Sequence, residues 1–325
     1  MGSLKDFFSG KRVVVTGGSG FVGSNLIRVL VESDARVRAS VHKSAPQIED
    51  DRVEFVNCDL RRLEDCKALT DTTDYVIMAA AISSGAGVIA NSPLVHLPDN
   101  IVMNTNMLNA SHSNRVKRFC FISSSVVYPD TCDRVKEDDA AFTFFDGYYV
   151  SGWMKRFSEV MCDMYSRLGD NNMNTIVVRP SNLYGPYDKF DKGKSKVIPA
   201  LIQRAVDGEN PLMVWGDGTD IKDFLYVEDF VEGLLTVIAM VDTDLTVNIA
   251  SEKSVTIGEV ALEILKTVSP LSREIQFQKD MPVMIKERRI DSSLMRSLTG
   301  WQPVISMQDG IKKTVSWYQT NHRSV

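Results

Sequence analysis

The sequence predicts an α/β protein: a doubly wound parallel sheet, followed by a smaller C-terminal α/β part suited to holding a substrate. Three observations carry this. Short β-branched apolar runs alternate with helical stretches through the first half of the chain. The first run ends in a cluster of glycines that opens directly into an amphipathic helix. After Pro180 the pattern turns irregular and rich in turn residues.

The elements can be taken in order. Residues 11–16 read as a buried strand ending on glycines, and residues 21–32 have helical periodicity. Further strands are expected at 36–41, 53–56, 75–78, 119–123 and 175–178, with helices at 100–113 and 149–168. Strands separated by helices pair in parallel through crossover connections. Past Pro180, helices are expected at 195–206, 229–241 and 257–268, a loop at 216–220 and a strand at 246–249. Pro270, Pro282 and Pro303 punctuate the more irregular end. The expected division is 1–180 for the first unit and 181–325 for the second, with part of 224–250 returning to the first. A chain of 325 residues fits one large domain or two closely joined ones.

Composition excludes several classes. Hydrophobic residues make up 44% and charged residues 24%, as in an ordinary globular protein. The net charge of -5 leaves no basic excess to neutralise a phosphate backbone, so a nucleic-acid partner is not expected. No apolar run has the length to span a bilayer, and the N-terminus lacks the apolar core of a secretory signal. No membrane partner is expected, and the expected location is cytoplasmic. Gly2 and Ser3 hint faintly at myristoylation, but residues 11–18 already read as the first core strand and its turn. Cys58, Cys66, Cys120, Cys132 and Cys162 form no CxxC pair, and the four histidines have no ligand-like spacing. Free thiols and no metal site are the expectation.

Thr16 to Gly23 carry the pattern GxxGxxG between strand and helix: Gly17, Gly20 and Gly23, with Phe21 and Val22 opening the helix. One glycine serves a tight turn, one the close approach of a pyrophosphate, and one helix–strand packing. The helix N-terminus offers N–H groups and a positive dipole end to phosphates. This is the fingerprint of a Rossmann-type dinucleotide site. The tip of the second strand ordinarily separates NAD from NADP, and here it carries His42 and Lys43 with no carboxylate. That tilts slightly toward NADP over NAD. Asp59, followed by Leu60 at the end of the third strand, is placed to reach the adenine ring or to cap its own turn.

Several further strings share an order. Met78 to Ala81 close the fourth strand, with Ala79, Ala80 and Ala81 at its exit. Ser123, Ser124 and Ser125 precede Tyr128-Pro129, and Lys155 lies in the string SGWMKR. Arg179 to Pro186 read RPSNLYGP, the string WGDG begins at Trp215, and KDFLYVED begins at Lys222. Together these resemble the extended short-chain dehydrogenase/reductase family, nearest its GDP-fucose synthase-like and sugar-nucleotide epimerase branch, over essentially the whole chain. The resemblance implies that Ser124 binds the reacting sugar oxygen and Lys155 the nicotinamide ribose. It implies Asn104 as a helix residue of the site, and Pro180 and Asn182 bordering nicotinamide and sugar. Ser125 would join the substrate side, and Arg204, Trp215 and Lys222 would meet nucleotide and diphosphate.

The family's base is a tyrosine four residues before the lysine, where one helical face brings the two together. Here that position is Ser151. A serine hydroxyl is too short and too weakly acidic to substitute unaided. Three explanations stay open: Tyr148, Tyr149 or a substrate group takes over; Ser151 and Ser124 relay the proton through water; or redox chemistry is lost. Fucose synthases also use a cysteine and a histidine to epimerise. At those positions this chain has Val126 and Lys196, so fucose synthesis itself is not expected, while Lys196 can act as an acid or a phosphate contact. The expected function is an NAD(P)-dependent oxidoreductase acting at C4 of a hexose or heptose on a nucleotide, GDP for preference. The alternatives are a C4 epimerase and an impaired nucleotide-sugar or cofactor binder. The resemblance also implies a homodimer through residues 100–113 and 149–168, with Met103, Met107, Val160, Met161 and Met164 offering apolar surface, although a share of them must face the chain's own core.

Overall fold

The computed structural model describes residues 3–83, 86–92, 94–131, 133–191, 195–268, 273–281 and 283–322. Gly2, Cys132, Pro270, Pro282 and the centre of the basic run 189–196 lie outside the described residues. The chain runs α1 (Leu4–Phe8), β1 (Arg12–Val15), α2 (Phe21–Glu32), β2 (Arg36–Val41), β3 (Val53–Asn57), α3 (Leu63–Thr70), β4 (Tyr75–Met78), α4 (Ala86–Asn91), α5 (Leu97–Ser113) and β5 (Arg118–Ile122). It continues through β6 (Arg134–Val135), α6 (Tyr149–Leu168), β7 (Asn174–Pro180), β8 (Asn182–Tyr184), α7 (Val197–Val206), β9 (Leu212–Trp215) and β10 (Ile221–Tyr226). The last elements are α8 (Val227–Met240), β11 (Leu245–Ile249), β12 (Ser254–Thr256), α9 (Ile257–Val268), β13 (Ile275–Gln278), β14 (Arg289–Ile290), α10 (Ser293–Thr299) and α11 (Met307–Asn321).

Seven strands form one sheet in the order β11-β7-β5-β4-β1-β2-β3, and every pairing is parallel. Alternate residues of each strand feed opposite faces. Val13 and Val15 enter the core formed with Leu26, Leu30, Phe230 and Leu234 of α2 and α8. Val14, Phe119 and Phe121 enter the core formed with Met107, Leu108 and Cys162 of α5 and α6. Strands covered on both faces explain the unbroken apolar runs in the sequence. The order reverses between β1 and β4, so a crevice opens beyond their C-terminal ends, where doubly wound sheets bind ligands.

A third core packs α7, α9 and α11 against β9 and β10, around Leu201, Ile202, Val214, Ile264 and Ile311. β8 and β10 pair in parallel, and β12 adds to β10 antiparallel. α5 begins at Leu97, three residues before the expected start, because Pro98 suits a first helical turn, where its missing N–H costs nothing.

Of the apolar residues expected on the outer face of α5 and α6, Met103, Met107 and Met161 are buried inside the chain's own core. The exposed apolar stripe consists instead of Trp153, Phe157, Met164 and Leu168 on α6, with Val102 on α5. Cys58, Cys66, Cys120 and Cys162 are buried free thiols. Among the described residues, no helix is long and apolar enough to cross a membrane.

Candidate active site

One cavity of about 1630 Å³ runs from the glycine loop, across the ends of β1, β4 and β5, to α7 and the exit of β9. Pockets for one small molecule occupy roughly 300–1,000 Å³, so this one has room for two ligands end to end.

At one end the backbone makes the site. Gly17 has φ +70, and a Cβ there would stand 2.9 Å from Ala80 Cα. A Cβ on Gly23 would stand 2.1 Å from the Gly17 carbonyl oxygen, so helix and loop can meet this closely only at glycine. The Gly17 N–H donates to Ser40 Oγ at 3.0 Å, and the Thr16 hydroxyl accepts from the N–H groups of Ala79 and Ala80, each at 3.0 Å. The loop is thereby tied to β2 and β4. Gly20 caps α2 without a side-chain bond, and its first turn carries no acidic residue. Its N–H groups are free for an anion. Gly17, Gly20, Phe21, Val22 and Gly23 all line the cavity, a cradle that fits a dinucleotide pyrophosphate.

His42, Lys43, Asp59, Leu60 and the Ala79–Ala81 exit line the same end. Asp59 accepts from the Arg61 backbone N–H at 3.0 Å, a turn cap, and holds the Arg61 guanidinium at 2.9 and 2.8 Å. That guanidinium keeps the Asp59 carboxyl well below the usual carboxylate range. Arg61 itself lines the cavity and was not anticipated. A lone arginine in a charged turn gives no pattern to find it by.

At the middle of the cavity stand Ser124, Ser125, Ser151, Lys155 and Pro180. Ser124 opens the short 3-10 turn Ser125–Val127, its Oγ accepting from the Val126 N–H at 3.4 Å. Lys155 Nζ donates to the Ile122 carbonyl at 2.8 Å and lies 4.8 Å above the Phe121 ring. Burial pushes its ammonium down to about 8, against the pull of Glu159 and with the push of Lys196. Beneath it, Glu159 accepts from Ser123 Oγ at 2.5 Å, from Arg179 at 2.9 and 2.8 Å, and from Arg156 at 3.0 Å.

Two expectations need correction. Tyr149 is 58% exposed and lies outside the cavity, edge-on to Trp153, because the turn before α6 aims it outward. Tyr148 lines the cavity instead, and burial pushes its phenol up to about 12. Asn104 does not reach the cavity; it is buried behind the wall, where its amide donates to Ser158 Oγ at 2.9 Å. Ser151 does line the cavity, but its hydroxyl donates to the Tyr148 carbonyl at 3.1 Å.

At the far end Asn182, Lys196, Arg204, Trp215 and Lys222 line the cavity together. The Asn182 amide donates to the Asp223 carbonyl at 3.0 Å, locking β8 to β10. Lys222 donates to the carbonyls of Ile285 and Lys286, 3.9 Å from Asp220, and burial lowers its pKa. Asp188 also lines this part, its Oδ1 accepting from the Lys189 N–H at 2.8 Å. Burial raises its pKa, with Lys196 opposing. The tight turn before it, with Tyr187 at φ +69, swings Asp188 inward, and nothing in the local sequence signals this.

Comparison with known proteins places this geometry. A rice GDP-mannose 3,5-epimerase (Oryza sativa subsp. indica) is 31% identical over 314 residues, covering 94% of this chain and 81% of its own. A GDP-L-fucose synthase from Sinorhizobium fredii is 30% identical over 325 residues, covering 96% of each. Among solved structures, a UDP-N-acetylglucosamine 4-epimerase from Methanobrevibacter ruminantium superposes with TM-score 0.85 at 25% identity, covering 96% of this chain and 99% of that one. A GDP-6-OMe-4-keto-L-xylo-heptose reductase from C. jejuni shares the fold with TM-score 0.83 at 22% identity, covering 96% and 99%. Residues 13–250 match the NAD dependent epimerase/dehydratase family, and the chain belongs to that family of extended short-chain dehydrogenase/reductase enzymes.

Proposed function

We propose that this enzyme is an NAD(P)-dependent oxidoreductase acting at C4 of a hexose or heptose carried on a nucleotide, GDP for preference. The observation that carries this is the single cavity joining the dinucleotide cradle, through Ser124 and Lys155, to Arg204, Trp215 and Lys222. Relatives that act on GDP-sugars cover nearly the whole chain. When bound, the nicotinamide supplies the hydride acceptor or donor. The chain's own residues hold the rest: Ser124 would bond the carbinol oxygen, Lys155 the ribose hydroxyls, and the cationic far end the diphosphate.

Net epimerisation at C4 is the second reading, since a 4-epimerase shares the fold at 25% identity. His42 and Lys43 at the strand tip favour NADP slightly over NAD. We further assign residues 1–180 to the dinucleotide unit and 181–325 mainly to the substrate unit, with β11 paired beside β7 in the first unit's sheet. The stripe of Trp153, Phe157, Met164 and Leu168 suits pairing of α5 and α6 with those of a second copy in a cytoplasmic homodimer. Incubation with NAD(P)⁺ or NAD(P)H and a panel of GDP-, UDP-, CDP- and dTDP-sugars and their 4-keto forms tests the main reading. A change at 340 nm, or a C4 epimer by chromatography, is expected with a GDP-sugar. Silence with every member overturns the reading and leaves a binding protein.

A further inference from the structure

The site has kept the lysine of its family and lost the phenol that the lysine ordinarily assists. Four facts show where proton transfer can reside. Ser151 donates its hydroxyl to the Tyr148 carbonyl, which leaves it only acceptor lone pairs to offer a ligand. Tyr149 is outside the cavity. Tyr148 lies inside it, but the charged groups that act on it are Arg288 and Asp220, whereas those acting on Lys155 are Glu159 and Lys196. The two side chains answer to different charges, and among the described residues no phenol hydrogen-bonds the lysine. Finally, an ammonium has three N–H directions. Lys155 gives one to the Ile122 carbonyl, and it makes no ion pair among the described residues.

We propose that Lys155 is itself the proton-carrying residue, exchanging a proton with the C4 hydroxyl through one water standing where the family's tyrosine ring would lie. This rests on the C4 reading above. Glu159, one turn along α6, pulls the amine toward its charged form, but burial outweighs that pull, and its oxygens already accept from Arg156, Arg179 and Ser123. The groups facing Lys155 can be named element by element. α6 brings Glu159, and β7 brings Arg179 behind it. The start of α7 brings Lys196, with Asp188 beyond it in the loop after β8. β5 brings a carbonyl and the Phe121 ring, and the turn after it brings the hydroxyls of Ser124 and Ser125.

In oxidation the C4–H bond breaks and its hydride goes to the oxidised nicotinamide. The hydroxyl O–H breaks, its proton passes to the water, and the water gives a proton to the neutral Nζ. The sugar alcohol becomes a ketone and the nicotinamide is reduced. Reduction runs the same steps backward, with the ammonium as donor. Because burial brings this lysine down to about 8, both forms are accessible near neutrality. Oxidation needs the neutral amine and should rise as pH passes upward through that value. Reduction needs the ammonium and should fall there.

The test is Lys155→Arg, which keeps the cation and its donors but cannot give up its proton. Bound NAD(P)H fluorescence should persist while turnover falls by about 100-fold or more, and the limb near pH 8 should vanish. Separately, carbon–nitrogen NMR of the lysine side chain in the ligand-free protein, assigned by its absence in Lys155→Arg, should give a midpoint near 8. A midpoint above about 10, the free lysine value, overturns the proposal whatever the sugar. Lys155→Arg turnover within about threefold of wild type also overturns it. So does a Tyr148→Phe loss as deep as that of Lys155→Arg with the limb near pH 8 abolished, which would move the role to Tyr148. If wild type acts on no nucleotide sugar, the C4 reading falls and takes this proposal with it. Failure of Lys155→Arg on a sugar that wild type does turn over removes only the role of the lysine.

Discussion

The two ends of the cavity bind by different means. At the dinucleotide end the backbone is the ligand-binding surface: Gly17 and Gly23 bring loop and helix within contact distance, and Thr16 and Ser40 tie that loop to β4 and β2. At the sugar end, side chains from α6, α7, β8, β9 and β10 converge. A backbone site tolerates little change, since a Cβ on Gly17 or Gly23 collides. A side-chain site can exchange one residue and keep its neighbours, which is how we read Ser151. The lesson is that two ends of one cavity can differ in how much change their construction admits.

Four substitutions would break or sharpen that contrast. The largest effect is expected from Arg179→Met, which leaves the buried Glu159 with only Arg156 and Ser123. Breaking a buried pair costs about 3–5 kcal/mol, and a denaturant melt should read a loss of that size. A loss under about 1 kcal/mol would mean that this cluster is not what fixes α6. Next is Gly23→Ala. Its methyl would meet the Gly17 carbonyl at 2.1 Å, so overpacking should cost roughly 2–3 kcal/mol and abolish NAD(P)H fluorescence enhancement. Retained cofactor affinity in Gly23→Ala would contradict the strictness claimed for that end.

Ser151→Tyr probes the permissive end. A phenol facing Lys155 should raise kcat by about 10–100-fold, within the range general acid–base catalysis supplies. A slower enzyme would mean that the sugar occupies the room the ring needs. The smallest effect is expected from Tyr149→Phe, whose side chain lies outside the cavity. Its kcat should stay within about twofold, as for a surface change worth under 0.5 kcal/mol. A large loss in steady-state assays would return Tyr149 to the site.

Much of this was legible in the sequence because its causes are local. The seven-stranded parallel sheet follows from apolar runs such as residues 13–15 and 75–78, and the cradle follows from three glycines at fixed spacing. The spacing of four between Ser151 and Lys155 was legible for the same reason, since one helix carries both. What was not legible depends on tertiary aim. Tyr148 and Tyr149 are adjacent in the chain, yet the turn Asp146–Tyr148 sends one into the cavity and the other out. Asn104 has a polar side chain on the expected helix, but Ser158 of the facing helix claims it. That a share of the methionines on α5 and α6 must face the core was legible, but that the share is Met103, Met107 and Met161 follows only from how the two helices pack. Asp188 and Arg61 reach the cavity through loops whose path no periodicity encodes.

The cluster of Glu159 with Arg179, Arg156 and Ser123 has one more consequence. It registers α6 against the sheet one turn beyond Lys155, so the helix does not depend on residue 151 for its position. The Ser151 hydroxyl bonds only a carbonyl three residues back on its own chain. Position 151 is thus an interchangeable fitting on a fixed mount. A substitution there should therefore leave the seating of α6 on the sheet unchanged.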